Sequence, residues 1–448
     1  MKKYRSFLMA LSMTVSLVAS VLVFSPPASA YEPPEGGVFN VPRPWGTKAQ
    51  KYRIVSTVEK AIRKTPGPTK AEPNPRIVIS TYLLDRKPSV DALVAACRRG
   101  VSVRVIMDED IENKNSRRII RTLNGDNVPD RNGDGIGDRK PRAGACNRPL
   151  KNRVAAKMTG EDLARSMRVP TEDSVTWGKD KSYAKKCDGS CRGRGGNMHS
   201  KFFLFSKTGT ARNVVIVSSS NLNRGGAELG WNDGFVINNR ATLYNGFNTV
   251  HREMTEDSRA GDRKVEVRDG RYTARFFPMR NAGKRKDPTL KDLNQIGCRS
   301  ALGRTQIHVS MFYWKGSRGQ YLATKLLNLA RQGCSVNIIY GAPSLEIAER
   351  LRNAAKSRLI NLYDSRWDMN NDGYNEVRTH AKYVLVKGRY GGKAKSWQVL
   401  TGSQNWVAGS LSRGDEVTLN VASRSAYNDY RKNWQAIRKH SRRMPLNR

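Results

Sequence analysis

Apolar residues follow two rhythms that recur in the same order along this chain. Ile77-Val78-Ile79-Ser80 is a short apolar run, the mark of a buried strand. Val90 to Arg99 spaces its apolar residues as a helix does, and Val101 to Ile106 returns to a strand. Further on come a strand over Ile307 to Met311, a helix over Tyr321 to Arg331 and a strand over Ser335 to Ile339. The joints match as well: Cys97-Arg98-Arg99-Gly100-Val101-Ser102-Val103 against Ala330-Arg331-Gln332-Gly333-Cys334-Ser335-Val336. Another helix follows each unit, near Ser116 to Leu123 and near Leu345 to Ala355. Strands alternating with helices predict an α/β fold: two similar α/β/α sandwich halves with mostly parallel sheets, packed together.

A polar, charged stretch from Asp257 to Arg268 divides the chain, which puts the halves at 47–262 and 263–448. Residues 31–46 are rich in Pro and Gly and read as a linker. Residues 1–30 have a basic start (Lys2, Lys3, Arg5), an apolar run from Phe7 to Phe24, then Pro26, Pro27 and Ala28-Ser29-Ala30. That order predicts a signal peptide with a small-residue cleavage site, and hence a secreted, extracellular protein. An uncleaved anchor is the competing reading, since the apolar run is nearly long enough to span a bilayer. Periodicity lapses over about 125–197, a length too great for an ordinary connection. We read it as an insertion over the first half's site, a lid or substrate-binding loop, against the alternative of a decorated surface loop.

All six cysteines follow residue 30, and an even number in an exported chain predicts disulfides. Cys298 and Cys334 are expected to pair, as are two of Cys146, Cys187 and Cys191. A zinc site at Cys187 and Cys191 would need a second ligand pair at the usual spacing, which is missing. The formal net charge of +41 predicts attraction to polyanions such as nucleic acid, anionic lipid or acidic wall polymers.

Against this frame two strings carry the chemistry. His199-Ser200-Lys201 and His380-Ala381-Lys382 each set a His and a Lys two apart before an apolar run. In a strand, residues i and i+2 share a face, so each string aims an imidazole and an ammonium at one space. The chain has five histidines, and two of them occupy these matched settings. Each string is followed by a strand, a Ser-x-Asn turn (Ser219 and Asn221; Ser403 and Asn405) and then acids, Asp233 in one half and Asp415-Glu416 in the other. The other histidines, His251, His308 and His440, read as structural.

On these residues the chain resembles the phospholipase D superfamily, the HKD phosphodiesterases, over roughly residues 47 to 448. The superfamily pattern is His-x-Lys, an Asp five residues after the Lys, and a later Gly-Ser-x-Asn, once per half. The stretch from Thr401 to Trp406, with Asp415-Glu416-Val417, is similar to exported actinobacterial members. The resemblance implies one site at the pseudo-two-fold junction of the halves, in a monomer, since both parts of the site lie in one chain. It implies a phosphohistidine on His199, with His380 as general acid, and no metal in the chemistry. Lys201, Lys382, Asn221 and Asn405 would surround the phosphate oxygens and stabilise the charge of the transition state. Asp233 and Glu416 stand in the right order to hold the imidazoles, with Asp415 competing with Glu416. Two departures are visible: Ser206 and Lys387 stand where the motif Asp is expected, and Ser218 replaces a Gly. Tyrosyl-DNA phosphodiesterase also lacks that Asp and is active.

The resemblance leaves the substrate open. Phospholipid headgroups come first, by hydrolysis or transfer with peripheral membrane contact. A nuclease of the same superfamily and a non-catalytic anion-binding relative are the alternatives. Aromatic and apolar surroundings at the two histidines would favour lipid; a long basic groove would favour nucleic acid. Finally, Asp130, Asn132, Asp134 and Asp138, and Asp368, Asn370, Asp372 and Glu376, both follow the Asp-x-Asn-x-Asp-Gly start of a calcium loop. Pro141 and Thr379 stand where an EF-hand needs Glu, so a structural calcium clip is expected instead, with plain Asn/Asp/Gly turns as the alternative.

Overall fold

The computed structural model describes residues 31–70, 72–108, 113–124, 146, 182–187, 189–256, 259 and 265–444. The apolar run Arg76–Ser80 lies inside a seven-stranded sheet and Gln306–Trp314 inside a ten-stranded one. Six neighbouring strands of the first sheet run Asp233–Ile237, Ala211–Ser218, Phe202–Thr208, Arg76–Ser80, Ser102–Asp108 and Tyr183–Cys187. The second repeats that order as Glu416–Ala422, Lys393–Gly402, Lys382–Tyr390, Gln306–Trp314, Ser335–Pro343 and Asn361–Asp364. The α/β class and the paired halves are therefore as expected.

The sheets themselves are mixed. Within these two sheets, among the described residues, parallel pairing is confined to the β-α-β part of each half, Arg76–Ser80 with Ser102–Asp108 and Gln306–Trp314 with Ser335–Pro343, and to the strand beyond each. The remaining pairs in the two sheets are antiparallel. Two of these pairs have a local cause: two-residue turns at Gly209-Thr210 and Gly391-Gly392 reverse the chain, so Ala211–Ser218 and Lys393–Gly402 return antiparallel to the strands before them. The stretch read as a linker also enters the fold, since Gly36–Phe39 pairs with Asp233–Ile237 as an edge strand. The end of the 125–197 insertion does likewise through Tyr183–Cys187.

Helices Arg53–Lys64 and Lys87–Arg98 cover the outer face of the first sheet over Val55, Ile79, Leu93 and Val103. Gly316–Arg331 and Leu345–Lys356 do so for the second over Val309, Leu326, Ile338 and Leu351. The largest core lies between the halves. Helices Ala241–Thr255 and Arg424–Lys439 bring Phe247, Met254, Tyr430 and Trp434 against Phe202, Trp231, Tyr272, Tyr383 and Leu419. One continuous apolar core thus fixes how the halves meet. Both belong to a single compact unit.

The six cysteines form Cys97–Cys146, Cys187–Cys191 and Cys298–Cys334. The last is the expected pair, and Cys187–Cys191 is a pair within the expected trio. Both thiols of the considered zinc site are consumed by that bond. Residues 1–30, most of the insertion, and Asp130, Asn132, Asp134 and Asp138 lie outside the described residues.

Candidate active site

The first His–Lys string lies just before its strand, and the second enters its strand at Lys382. His199 and Lys201 precede Phe202–Thr208, and His380 falls between Arg378–Thr379 and Lys382–Tyr390. The lysines hold this irregular backbone: Lys201 Nζ donates to the His199 carbonyl and Lys382 Nζ to the His380 carbonyl, each at 2.5 Å. Each string is also tied to the opposite half. His199 N donates to Asp415 O at 2.9 Å, and His380 N to Trp231 O at 2.8 Å. The two strings meet because each half supplies the other's backbone acceptor.

The imidazoles are held the same way, across the junction. His199 Nδ1 lies 3.0 Å from Glu416 Oε1, and His380 Nδ1 lies 2.8 Å from Asn232 Oδ1. Ser403 Oγ donates to the other Glu416 oxygen, and Ser219 Oγ to Asn232 Oδ1 at 3.2 Å. The Asn232 amide is orientated by its surroundings. Its Nδ2 donates to Gly226 O and Gly230 O at 2.9 and 3.1 Å, so its oxygen must face His380. Both rings therefore carry a proton on Nδ1, and Nε2 is the nitrogen free for chemistry.

The expected role of Asp233 is corrected here. Successive extended residues point to opposite sides, so when Asn232 faces His380, Asp233 faces away. Its carboxylate accepts from Thr401 Oγ1 and from Tyr430 Oη, the latter at 3.0 Å, and binds the halves together. Asp415 is also placed: its Oδ2 accepts from Cys191 N at 2.6 Å and Arg192 N at 3.4 Å, which leaves Glu416 alone on His199.

Electrostatics separate the two imidazoles. Burial pushes both below their ordinary range, His380 further than His199. At His199 the Glu416 carboxylate opposes the shift; at His380 the ammoniums of Lys382 and Lys201 add to it. Burial works to raise Glu416, but the His199 and Lys201 charges hold it below the usual carboxylate range. Burial also pushes Lys382 down to about 7 and Lys201 well below its ordinary value. Glu416 offsets these two ammoniums only in part, since burial still lowers both, so the site favours a negatively charged ligand that restores their charged forms. Asn232→Asp puts a carboxylate on His380 and should move the alkaline limb of the kcat/KM profile to higher pH. It should also lower stability by about 1–3 kcal/mol, because Gly226 O and Gly230 O lose their donor. pH–rate profiles and thermal melts check both.

The family described as cardiolipin synthase, PLD-like domain, matches residues 70–254 and 299–438, well over half the chain, with one His–Lys string in each stretch. The chain belongs to the phospholipase D superfamily. Among curated proteins none matches. Phosphatidylserine synthase of Haemophilus influenzae Rd KW20 is similar in fold, with 13% identity and a TM-score of 0.53 over 88% of this chain and 86% of that one. Yeast tyrosyl-DNA phosphodiesterase, as its H432N_Glu mutant, follows with 10% identity and a TM-score of 0.43 over 87% and 89%. Polyphosphate kinase of Porphyromonas gingivalis has 12% identity and a TM-score of 0.48 over 89% of this chain, which spans 46% of the kinase.

As a member of the superfamily the chain is most informative where it departs from the motif. Ser206, in the place of the motif Asp, accepts from Arg76 N at 2.9 Å within the first sheet. Lys387 lies in the second sheet opposite Gln306. Both positions are structural, remote from the imidazoles along their strands. Gly402 has φ +142°, and a Cβ there would meet Val417 O at 2.2 Å, so the second half needs its Gly. Ser218 in the first half instead uses its hydroxyl, which donates to Asp233 O at 2.7 Å. Asn221 and Asn405 follow these turns, and each keeps a buried carboxamide oxygen without a hydrogen bond.

Two aromatic residues beside the histidines were not foreseen. Tyr82 lies 5.4 Å from the His199 ring and Phe312 4.7 Å from the His380 ring, centroid to centroid. Lys201 and Lys382 sit over the same rings at 5.5 and 5.1 Å. Their signal was present in the duplication: Ser80-Thr81-Tyr82 leaves the strand Arg76–Ser80, and Ser310-Met311-Phe312 lies near the end of the corresponding strand Gln306–Trp314. The three other histidines are packed, as read. His251 lies 3.1 Å from Ser80 Oγ, His308 is edge-on to Trp434 and pushed down to about 3 by burial, and His440 stacks on Trp45. In the acidic loop, Asp368, Asp372 and Glu376 bring carboxylate oxygens within 4.8 Å of one another, while Asn370 Nδ2 donates to Asp372.

Proposed function

We propose that this protein is a secreted phosphodiesterase that hydrolyses or transfers phospholipid headgroups through a phosphohistidine intermediate. The observation that carries the reading is the crossed pair, His199 on Glu416 and His380 on Asn232, with Lys201 and Lys382 beside them. The bound phosphate offsets the two ammoniums and lets His380 take up a second proton, on Nε2; His199 Nε2 then attacks phosphorus, the bond to the leaving oxygen breaks, and His380 Nε2 gives that oxygen its proton. Neutral His380 then takes a proton from water, or from an alcohol, as its oxygen attacks phosphorus and the P–N bond breaks. The two lysines and Asn221 and Asn405 hold the phosphate oxygens throughout. This chemistry needs no metal.

Lipid is favoured by the rings of Tyr82 and Phe312 at the two histidines and by the family's description as cardiolipin synthase. The second reading, a nuclease, draws on the +41 charge. One assay panel decides: phosphatidylcholine, phosphatidylglycerol and plasmid DNA, each with and without ethanol as acceptor. Lipid turnover, with phosphatidylethanol formed when ethanol is present, supports headgroup transfer. DNA cleavage with lipid untouched overturns the lipid reading. Export is tested by the N-terminus of protein recovered from culture medium, expected at Tyr31.

The same reading keeps a structural calcium at Asp368, Asp372 and Glu376, with Asn370 and the loop carbonyls completing oxygen ligation. The loop ends on the short strand that leads into His380. Millimolar calcium should raise the melting temperature of the native chain and leave Asp368→Ala/Asp372→Ala unmoved. Equal melting curves of the native chain with calcium and with a chelator would leave the loop as a plain turn.

A further inference from the structure

A cavity of about 410 Å³ opens among Arg194, Arg280, Asn281, Gly283, Ser412 and Arg413. That is a size in the range of about 300–1,000 Å³ typical of ligand clefts. Its lining holds three guanidiniums and no carboxylate, and none of the His–Lys site residues reaches it. Arg194, Arg280 and Arg413 make no ion pair among the described residues, in a chain whose other arginines repeatedly pair with acids.

The three arginines come from separate segments that are fastened to one another. Met279 N donates to Leu411 O at 2.8 Å, Asp415 N to Asn197 O at 3.0 Å, and Arg192 Nη1 to Phe277 O at 3.3 Å. Phe277, Met279 and Leu411 form a small apolar cluster behind the wall. The Cys187–Cys191 disulfide precedes the Arg194 loop, and Gly196, at φ +80°, is seated so close to Gly414 N that a Cβ would come within 2.9 Å. The cavity is therefore preorganised. Three like charges held around one space repel one another, and an anion relieves that repulsion. Phosphate oxygens match the planar donor fork of guanidinium.

We propose that this cavity binds a phosphate group separate from the phosphodiester that reacts. The claim goes beyond the catalytic reading and is tested by binding, whether or not the His–Lys site turns over. The phosphate belongs either to an anionic lipid headgroup or to a soluble phosphate. Pyrophosphate is titrated calorimetrically, at about 150 mM salt to screen loose surface charge, into four proteins. These are the native chain, Arg280→Ala/Arg413→Ala, the conservative Arg280→Lys/Arg413→Lys, and Lys48→Ala/Lys393→Ala as an equal charge loss elsewhere. The alanine pair should lose one equivalent of binding or weaken it at least about tenfold. The lysine pair should fall between, and the Lys48 and Lys393 variant should match the native chain. Unchanged binding in the alanine pair, or an equal loss in the Lys48 and Lys393 variant, would overturn the proposal. Sedimentation with phosphatidic acid vesicles separates the sources. If the alanine pair loses vesicles and pyrophosphate together, the ligand is a headgroup; if it loses pyrophosphate alone, it is soluble phosphate. Turnover of a small phosphodiester by the alanine pair stays at the native level, which keeps this result apart from any failure of the catalytic reading.

Discussion

His199→Ala is expected to lower kcat on any phosphodiester substrate by roughly 10⁴- to 10⁶-fold. The substitution removes the atom that would bond to phosphorus, and no other side chain stands in its place. His199 suits the role because Glu416 fixes its Nδ1 proton and takes up positive charge as Nε2 becomes bonded to phosphorus. Substrate binding should change far less, since Lys201 and Lys382 still meet the phosphate. The expected pattern is therefore a collapsed kcat with a nearly constant Kd, measured by single-turnover kinetics and by titration of an unreacted analogue. A comparable fall in affinity would mean that His199 binds rather than reacts.

His380→Ala should divide substrates by leaving group. With an alcohol leaving group, which needs a proton, the loss should be about 10²- to 10⁴-fold. A 4-nitrophenyl ester needs no proton to depart, so its first step should remain fast. The second step needs His380 as base for water, so it should stall. The variant should release one equivalent of nitrophenol per active site in a burst and then turn over slowly. Its partner, Asn232, is neutral, and that fits an acid and base that must give up and regain a proton within each cycle. A uniform loss on both kinds of substrate, with no burst, would reverse or remove the assignment.

The duplication was legible because it is written in local sequence: β-α-β spacing, the Gly100 and Gly333 joints, and two His–Lys strings. The site at the junction followed from the superfamily pattern. What escaped was contact across the halves. Asp233 is the expected partner on chemistry alone, because a carboxylate is the better partner for an imidazole. Yet counting thirteen residues from Ser219 reaches Asn232, as it reaches Glu416 from Ser403. Register, which the fold preserves, was the stronger guide than residue chemistry. The crossing of partners, His199 to Glu416 and His380 to Asn232, had no sequence signal within either half. It depends on how Trp231 and Asp415 lend their carbonyls to the opposite string. The mixed sheets escaped for a similar reason: helical crossovers dominate the pattern, while two-residue turns decide the direction of the returning strands. The arginine cavity draws on Arg194, Arg280 and Arg413, which are far apart in the chain and within a uniformly basic composition, so only the folded chain distinguishes them.

The central claim is a covalent bond between His199 and phosphorus. The direct measurement is to quench the His380→Ala variant under alkaline conditions during its 4-nitrophenyl burst and map the peptides by mass. One phosphoryl adduct, labile to acid, is expected on the peptide that contains His199. No adduct, or an adduct on another residue, would contradict it.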